Sequence, residues 1–419
     1  MHVSYVFRQD LNQIVKNYYD ICARENKNPE NWLILGRALV DAERFDEARD
    51  ALENVFESGR FFVFKKGLPR IRIQKLFSYK KNRRLFARAY TETAAVEMHY
   101  GNLASAERQL LLAMREFEKD GSDKEYVRAA RFLGTLYRIS GLYENAEEMF
   151  LSIREISRKN GWRTPMADAV GNLGMIYFAR EDFCRALAYH EESFALYHDE
   201  NYLQDAAWQR RLMGICHMYS GQKEKTFRFL REALETFKRE NNWLYQARLY
   251  ADMAMAAEKF QEVKSAMRYA AQAVSKAKKS KDENEIAESR LLAARLKMAG
   301  GCEDDSVRRL LAEALKYFRL VGKKDDLANT YSTLGLFYLH RNDLEKAESF
   351  FKDSLRIEEQ LARSFGMAAD FGNLGLVAVR RRDTDAAVCY FDKARRLFKE
   401  GGNETLSADF EKRIADLKK

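Results

Sequence analysis

The 419-residue chain contains only three prolines, while 32% of its residues are charged. Both features disfavour strand-and-turn architectures and predict long helices with hardly any strand. No apolar run approaches the roughly eighteen residues of a membrane span, and the opening MHVSYVFRQDLNQ lacks the charged-then-apolar order of a secretory signal. A soluble, cytoplasmic protein is therefore expected. The five cysteines (Cys22, Cys184, Cys216, Cys302, Cys389) are scattered and form no C-x-x-C pair. That suits a reducing compartment, argues against a thiolate metal site, and casts them as small apolar fillers.

Catalytic signatures are missing too. There is no G-x-x-x-x-G-K-[ST] phosphate loop, G-x-G-x-x-G, G-x-S-x-G elbow or H-E-x-x-H. His190-Glu191 comes nearest, but Phe194 stands where a second zinc-ligating histidine would be needed, so His190 reads as a packed histidine. His2, His99, His198, His217 and His340 are too dispersed to build a site by spacing. Asp304-Asp305 and Asp325-Asp326 fit helix starts, where negative charge favours the helix dipole. The expectation is a non-enzymatic protein with no cofactor and no metal.

What the chain does have is repetition. GNLGMIYFAREDFCRAL (171–187) returns as GNLGLVAVRRRDTDAAV (372–388). A small anchor recurs at Gly36, Ala94, Gly134, Gly174, Gly214, Ala254, Ala294, Gly335 and Gly375, with spacings of 58, then 40 five times, then 41 and 40. Twelve residues after each anchor stands Ala48, Ala106, Ala146, Ala186, Thr226, Ala266, Ser306, Ala347 or Ala387. Short side chains on two successive helices let their backbones approach, so each unit predicts a packed antiparallel helix pair. The turns carry Gly, Asn, Asp or Glu, as in YGNLASA (100–106), SGLYENA (140–146) and RNDLEKA (341–347).

The units LGTLYRISGLYENAEEMF (133–150), LGMIYFAREDFCRALAYH (173–190) and LGLFYLHRNDLEKAESFF (334–351), with Trp32 before Leu35-Gly36, resemble the tetratricopeptide repeat family. The resemblance covers about residues 29–400. The period exceeds the family's usual length and looks like the longer-helix form of cell-polarity adaptors, kinesin light chains and bacterial signalling regulators. It implies an all-α helical-hairpin solenoid, a superhelix of about nine repeats. The expected organisation is an N-terminal capping helix (1–28), repeat 1 (29–58), a basic aromatic insertion (59–86), repeats 2–9 (87–400) and a C-terminal capping helix (401–419). Amphipathic patterns support both caps: Leu11, Ile14, Val15, Tyr18 and Cys22 at one end, Phe410, Ile414 and Leu417 at the other. Units six and seven, rich in Ala or Thr, lack the Leu-Gly-Tyr core.

The resemblance further implies that the first helices of the units line a concave groove holding a peptide or helix of a partner. The groove side chains would include Arg131, Thr135, Arg138, Asn172, Met175 and Phe178. Farther along they would include Trp208, Arg211, Ile215, Met218, Arg248, Met255, Glu258, Glu288, Arg295 and Met298. The last would be Leu336, Leu339, His340, Asn373, Leu376 and Arg380. Asn172 and Asn373 stand two residues before their anchor glycines, where related adaptors grip a ligand's backbone with an amide that both donates and accepts. The alternative is that they serve only the helix. The arginines lean the groove toward an acidic or carboxylate-ended ligand, a lean tempered by Asp168, Asp252 and Glu288.

From Arg60 to Arg88 the sequence carries eleven Lys or Arg and no acid, so the remainder of this +9 chain is about −2. The candidate basic surface is Lys65, Lys66, Arg70, Arg72, Lys75, Lys80, Lys81, Arg83, Arg84 and Arg88, interleaved with Phe61, Phe62, Phe64, Phe77, Tyr79 and Phe86. Such a mix suits nucleic acid, an anionic membrane surface or an acidic protein. It equally suits a helix whose aromatics pack on repeat 1 while its charges are solvated. The leading expectation is a protein-binding adaptor or scaffold. The alternative is a regulatory, nucleic-acid-associated protein using 60–88 to bind phosphate while the repeats sense a peptide.

Overall fold

The computed structural model describes residues 6–25, 28–60 and 83–417. Among them are twenty helices and no strand. The chain divides into two compact units, Met1–Thr236 and Phe237–Lys419. In the first lie α1 (Val6–Arg24), α2 (Pro29–Asp41), α3 (Phe45–Arg60), α4 (Arg83–His99), α5 (Leu103–Asp120) and α6 (Asp123–Ile139). They continue with α7 (Tyr143–Lys159), α8 (Arg163–Ala179), α9 (Phe183–Asp199), α10 (Leu203–Tyr219) and α11 (Lys223–Arg239), inside which the second unit begins. That unit goes on through α12 (Trp243–Lys259), α13 (Val263–Ser280), α14 (Glu283–Ala299), α15 (Asp305–Val321) and α16 (Lys324–His340). It ends with α17 (Leu344–Gln360), α18 (Ser364–Arg380), α19 (Thr384–Glu400) and α20 (Glu404–Leu417). The architecture is an all-α solenoid of helical hairpins, most of them closed by three-residue turns.

Both turns of the repeat are built on a left-handed residue. Gly141 (φ 75°) and Asn342 (φ 58°) sit between first and second helices, Gly161 (φ 69°) and Gly322 (φ 67°) between second helices and the next first helix. Glycine and asparagine tolerate this backbone best, which is why the turn signals were readable. Side-chain caps finish several helices: Asp182 accepts from the Arg185 amide at 3.0 Å, and Asp383 from the Ala386 amide at 3.0 Å.

The anchors work by close approach to the residue sixteen positions on. A Cβ built on Gly134 would lie 2.9 Å from the Phe150 ring, on Gly36 2.7 Å from Leu52, and on Gly335 2.5 Å from Phe351. Gly375 stands equally tight against Phe391. The small residue at twelve is buried beside this contact in eight of the nine units. In the seventh the expectation of Ser306 fails. Spacing 41 inserts one residue in the GGCEDD turn, Asp304 caps α15 through the Ser306 amide at 2.9 Å, and Val307, 0% exposed, takes the buried place instead. In unit six Ala254, Ala266, Ala270, Ala273 and Ala277 are all buried, so α12 and α13 pack alanine against alanine.

The terminal helices cover the outermost repeats. Val15 and Cys22 are buried on α1, with Ile14 and Tyr18 packed beside them. On α20 Phe410 stacks on Phe398 (5.7 Å between centroids), while Ile414 and Leu417 are half-buried. Of the cysteines, Cys22 and Cys216 do fill core, but Cys184 and Cys389 are exposed because they fall on the outer faces of second helices.

The expected boundaries shift by a few residues. Helix α3 runs to Arg60 and α4 starts at Arg83, so the described flanks of the basic run are ordinary repeat helices. Lys65, Lys66, Arg70, Arg72, Lys75, Lys80 and Lys81, with Phe61, Phe62, Phe64, Phe77 and Tyr79, lie outside the described residues. At the described end Phe86 is buried against Phe56 (5.9 Å). Arg83 pairs with Glu116, Arg88 meets Glu30 at 3.0 Å and Glu125 at 3.3 Å, and Arg84 is exposed.

Candidate functional site

Within the first unit, the first helices of the repeats open onto a cavity of about 540 Å3. Its apolar lining is Val127, Ile153, Trp162, Pro165 and Ala169, and its charged lining is Arg37, Asp41, Lys124, Arg128, Arg131, Arg163 and Asp168. Helix α2 contributes Arg37 and Asp41, α6 the stretch from Lys124 to Arg131, α7 Ile153, the turn before α8 Trp162, and the start of α8 the rest.

Most of these charges are already committed. Arg128 donates to both oxygens of Glu92 (2.6 and 2.7 Å) and to Asp41 (2.8 Å). Burial alone would lower its pKa, but Glu92 and Asp41 overcome that and hold the guanidinium above its ordinary value. Glu92 is 2% exposed, so the pair is an internal strut. Arg37, lowered by burial and by Arg128, reaches Glu125 at 3.6 Å and Glu92 at 3.8 Å. Arg163 pairs with Asp199 (2.6 Å) and Glu200 (3.2 Å). Lys124 lies over the Trp162 ring, 5.6 Å from its centre.

Arg131 and Asp168 are looser. Their nearest atoms are 3.9 Å apart, too far for a hydrogen bond. Burial raises the Asp168 carboxyl above the usual aspartate range, against the pull of Arg131 and of the buried Tyr197 hydroxyl, which donates to Asp168 Oδ1.

The sequence-derived groove residues are distributed unevenly. Arg131 lines the cavity. Arg138 is half-buried with Nε lacking a hydrogen-bond partner, and burial lowers its pKa. Asn172 Nδ2 donates to its own helix at Asp168 O (2.8 Å), and Asn373 is half-buried. Met175, Phe178, Trp208, Arg211 and Ile215 are half-buried, with Phe178 edge-on to Phe183 and Tyr219 and Arg211 over the Trp208 ring at 4.3 Å. In the second unit Leu336 and Leu376 pack against core, and Arg380 is exposed. Met218, Met298 and Leu339, expected in the groove, are buried instead: Met298 packs in one cluster with Val307, Leu311 and Leu334, and Leu339 in another with Ala347, Phe351 and Leu374.

The positive lean is largely cancelled by carboxylates on neighbouring first helices. Arg248 meets Glu285 at 3.0 Å and Arg295 meets Glu258 at 2.6 Å, each pair 37 residues apart, the same separation as Arg131 and Asp168. Sequence reasoning missed Arg37, Lys124, Arg128, Trp162 and Arg163; opposite charges 36 or 37 residues apart, as in Arg128 with Glu92 and Arg163 with Asp199 and Glu200, were a signal that could have found two of them.

His190 is 1% exposed, filling the place that Phe150 holds one repeat earlier, and its Nδ1 lies 2.9 Å from Gln209 Oε1. Burial lowers its pKa to about 4, so it is a neutral packed histidine. No group of three or more metal-ligating side chains occurs among the described residues.

Two stretches, 166–199 and 326–400, match family models described as tetratricopeptide repeat. No curated protein sequence matches the chain. Among solved structures, the fold is similar to a Rap protein complexed with Competence and Sporulation Factor, at 11% identity over 98% of each chain with a TM-score of 0.53. It is also similar to the apo quorum sensor NprR from B. thuringiensis, at 10% identity, covering 95% of this chain and 100% of that one, TM-score 0.52. Aspartyl phosphate phosphatase F from Bacillus subtilis is 13% identical, with 84% of this chain and 94% of that one covered and a TM-score of 0.54. Identities this low speak for the fold.

Proposed function

Because the chain is a tetratricopeptide-repeat protein, we propose that it is a non-enzymatic adaptor or regulator holding a peptide or helix of a partner protein on its first-helix face. The observation that carries this reading is the cavity of about 540 Å3 opening on that face, mixed apolar and charged, in the size range of pockets that enclose ligands. Half-buried Asn172, Met175 and Phe178 lie farther along α8, whose start lines the cavity in the first unit, and half-buried Asn373 holds the matching position in a repeat of the second. The similar Rap structure is a complex with Competence and Sporulation Factor, which supports a peptide as the ligand class. Among the described residues no helix is long and apolar enough to cross a membrane, and the proposed compartment is the cytoplasm.

The similarity to an aspartyl phosphate phosphatase is one of fold, and function does not follow from fold. A second reading is favoured by one sequence observation, the eleven cations without an acid between Arg60 and Arg88: that segment binds phosphate of nucleic acid or an anionic surface while the repeats hold a peptide.

Affinity capture from native cytosol at low and high salt, with and without nuclease, tests both. A stoichiometric protein retained through salt and nuclease, and lost on Asn172→Ala with Asn373→Ala, supports the adaptor. Recovery only of nucleic acid, abolished by salt, overturns it in favour of the second reading.

A further inference from the structure

We propose that the first-unit cavity receives one bulky apolar side chain of a bound peptide, and that Arg131 and Asp168 grip the backbone C=O and N–H of that residue in an extended conformation. This rests on the first-helix face being a peptide site, and it adds what that site selects.

The charges determine what the cavity does not select. Arg128 is held by Glu92 and Asp41, Arg163 by Asp199 and Glu200, and Arg37 stands between Glu92 and Glu125. Seven cavity-lining charges look cationic in sum, five against two, yet four further carboxylates stand directly behind them. A ligand recognised only by negative charge would gain little from such a balanced wall.

What remains open is a dipole. Arg131 and Asp168 sit 3.9 Å apart with no hydrogen bond between them, and the Tyr197 hydroxyl engages Asp168 Oδ1, leaving Oδ2 toward Arg131. Stacking over Phe132 (5.2 Å) steadies the guanidinium. A donor beside an acceptor at this spacing matches the backbone of one extended residue, whose N–H and C=O point the same way: the carbonyl accepts from Arg131 and the N–H donates to Asp168. Beside the pair, Val127, Ile153, Trp162, Pro165 and Ala169 supply apolar lining whose one side-chain polar group is the Trp162 indole N–H, which donates and cannot accept. A glycine or serine there would leave that lining wet, whereas a leucine, phenylalanine or tryptophan would cover it.

The probes are N-acetyl-L-phenylalaninamide and N-acetylglycinamide, which share the peptide groups and differ only in the side chain. The readout is the indole N–H resonance of Trp162, assigned by Trp162→Phe. We expect a saturable shift with the phenylalanine probe and at least fivefold weaker binding of the glycine probe. Thr164→Trp, at a half-exposed first-turn position of α8 on the cavity wall, should abolish the shift by filling the space while leaving the circular dichroism and melting curve unchanged. Arg131→Ala should weaken both probes threefold or more. Equal response to the two probes, or an undiminished shift in Thr164→Trp, overturns the proposal. So does the absence of saturation with the phenylalanine probe. Partner capture that still depends on Asn172 and Asn373 would then leave the adaptor reading standing with the ligand elsewhere on the face; loss of both would remove the two together.

Discussion

Replacing Gly335 by alanine should destabilise the second unit, and replacing Phe351 by leucine in the same chain should largely reverse the damage. The alanine Cβ would lie 2.5 Å from Phe351 Cε1 and 2.6 Å from Cδ1, where ordinary contact between carbons is about 3.5–4.0 Å. Phe351 is fully buried, so a displacement of about 1 Å has to be shared by α16 and α17. Overpacking of this kind costs about 1–3 kcal/mol. Alanine in place of a mid-helix glycine returns about 1 kcal/mol through helix propensity. The single change should therefore cost up to about 2 kcal/mol. Phe351→Leu alone leaves a void and should cost about 1–2 kcal/mol.

Together the two changes recreate the combination already present as Ala94 with Leu110, an alanine anchor facing a leucine sixteen residues on. The coupling should be about 1–2 kcal/mol in favour of the double variant. Repeat arrays unfold locally, so the suitable assay is native-state hydrogen exchange of α16 and α17 amides, backed by urea denaturation. If the two effects simply add to within about 0.5 kcal/mol, the anchor is not set by its contact with residue sixteen, and the packing rule is wrong.

Asp370, 1% exposed with neither oxygen hydrogen-bonded, has its pKa raised by burial to about 6, while the nearby Ser354 hydroxyl donates to Ala328 O instead. A raised carboxyl disfavours the folded state as pH climbs from the unfolded value near 3.8 through 6. Asp370→Ala, matching Ala129 and Ala169 in equivalent places, should thus raise stability at pH 8 by up to about 3 kcal/mol and do little at pH 4, as followed by urea midpoints. His190 has the opposite slope: folded near 4 against 6.5 unfolded, it removes stability as pH falls from 6.5 to 4, and His190→Gln should flatten acid unfolding over that window. Ala362 is held at φ 51° where other repeats use Gly161 or Gly322, so Ala362→Gly should raise the melting point, worth about 1 kcal/mol, and a loss of stability would contradict the turn geometry. Glu92→Ala should cost about 3–5 kcal/mol by leaving the buried Arg128 with Asp41 alone, whereas Glu155→Ala, at an exposed pair, should leave the urea midpoint unchanged.

Much of this fold was legible because its determinants are short-range and periodic. A glycine at Gly134 or Gly335 and an alanine twelve residues later are stated once per repeat, and the turn residues announce the helix ends. The same logic failed at Ser306, since one inserted residue in the preceding turn rotates the helix and hands the buried place to Val307. The site was less legible. Arg131 and Asn172 could be assigned to a face from their offset to an anchor, but the partner of the Arg131 charge, Asp168, stands 37 residues away. Arg128 reads as a free cation in sequence and proves to be bound by Glu92, 36 residues earlier, and by Asp41, 87 earlier. Trp162 belongs to a connecting turn in sequence and to the cavity wall in space.

Pairing of charges on the first-helix face has a consequence for how ligands are selected. Arg131 with Asp168, Arg248 with Glu285, and Arg295 with Glu258 each neutralise themselves locally, so the face projects little field beyond a Debye length of about 8–10 Å. Association on it should be steered weakly, and affinity should rest on shape, apolar burial and the peptide dipole. Residues 60–88 are the reverse case, eleven cations with no acid among them, and any polyanion bound there should lose affinity as a power of salt concentration. Salt therefore separates the two modes within one chain. Between 50 and 200 mM a ligand of the cavity should weaken by less than about threefold. A nucleic acid on the basic run that contacts six or more phosphates should weaken by about a thousandfold or more. A cavity ligand with a steep salt slope would mean that the paired arginines open on binding and meet an anion directly, and the dipole argument would have to give way to a charge argument.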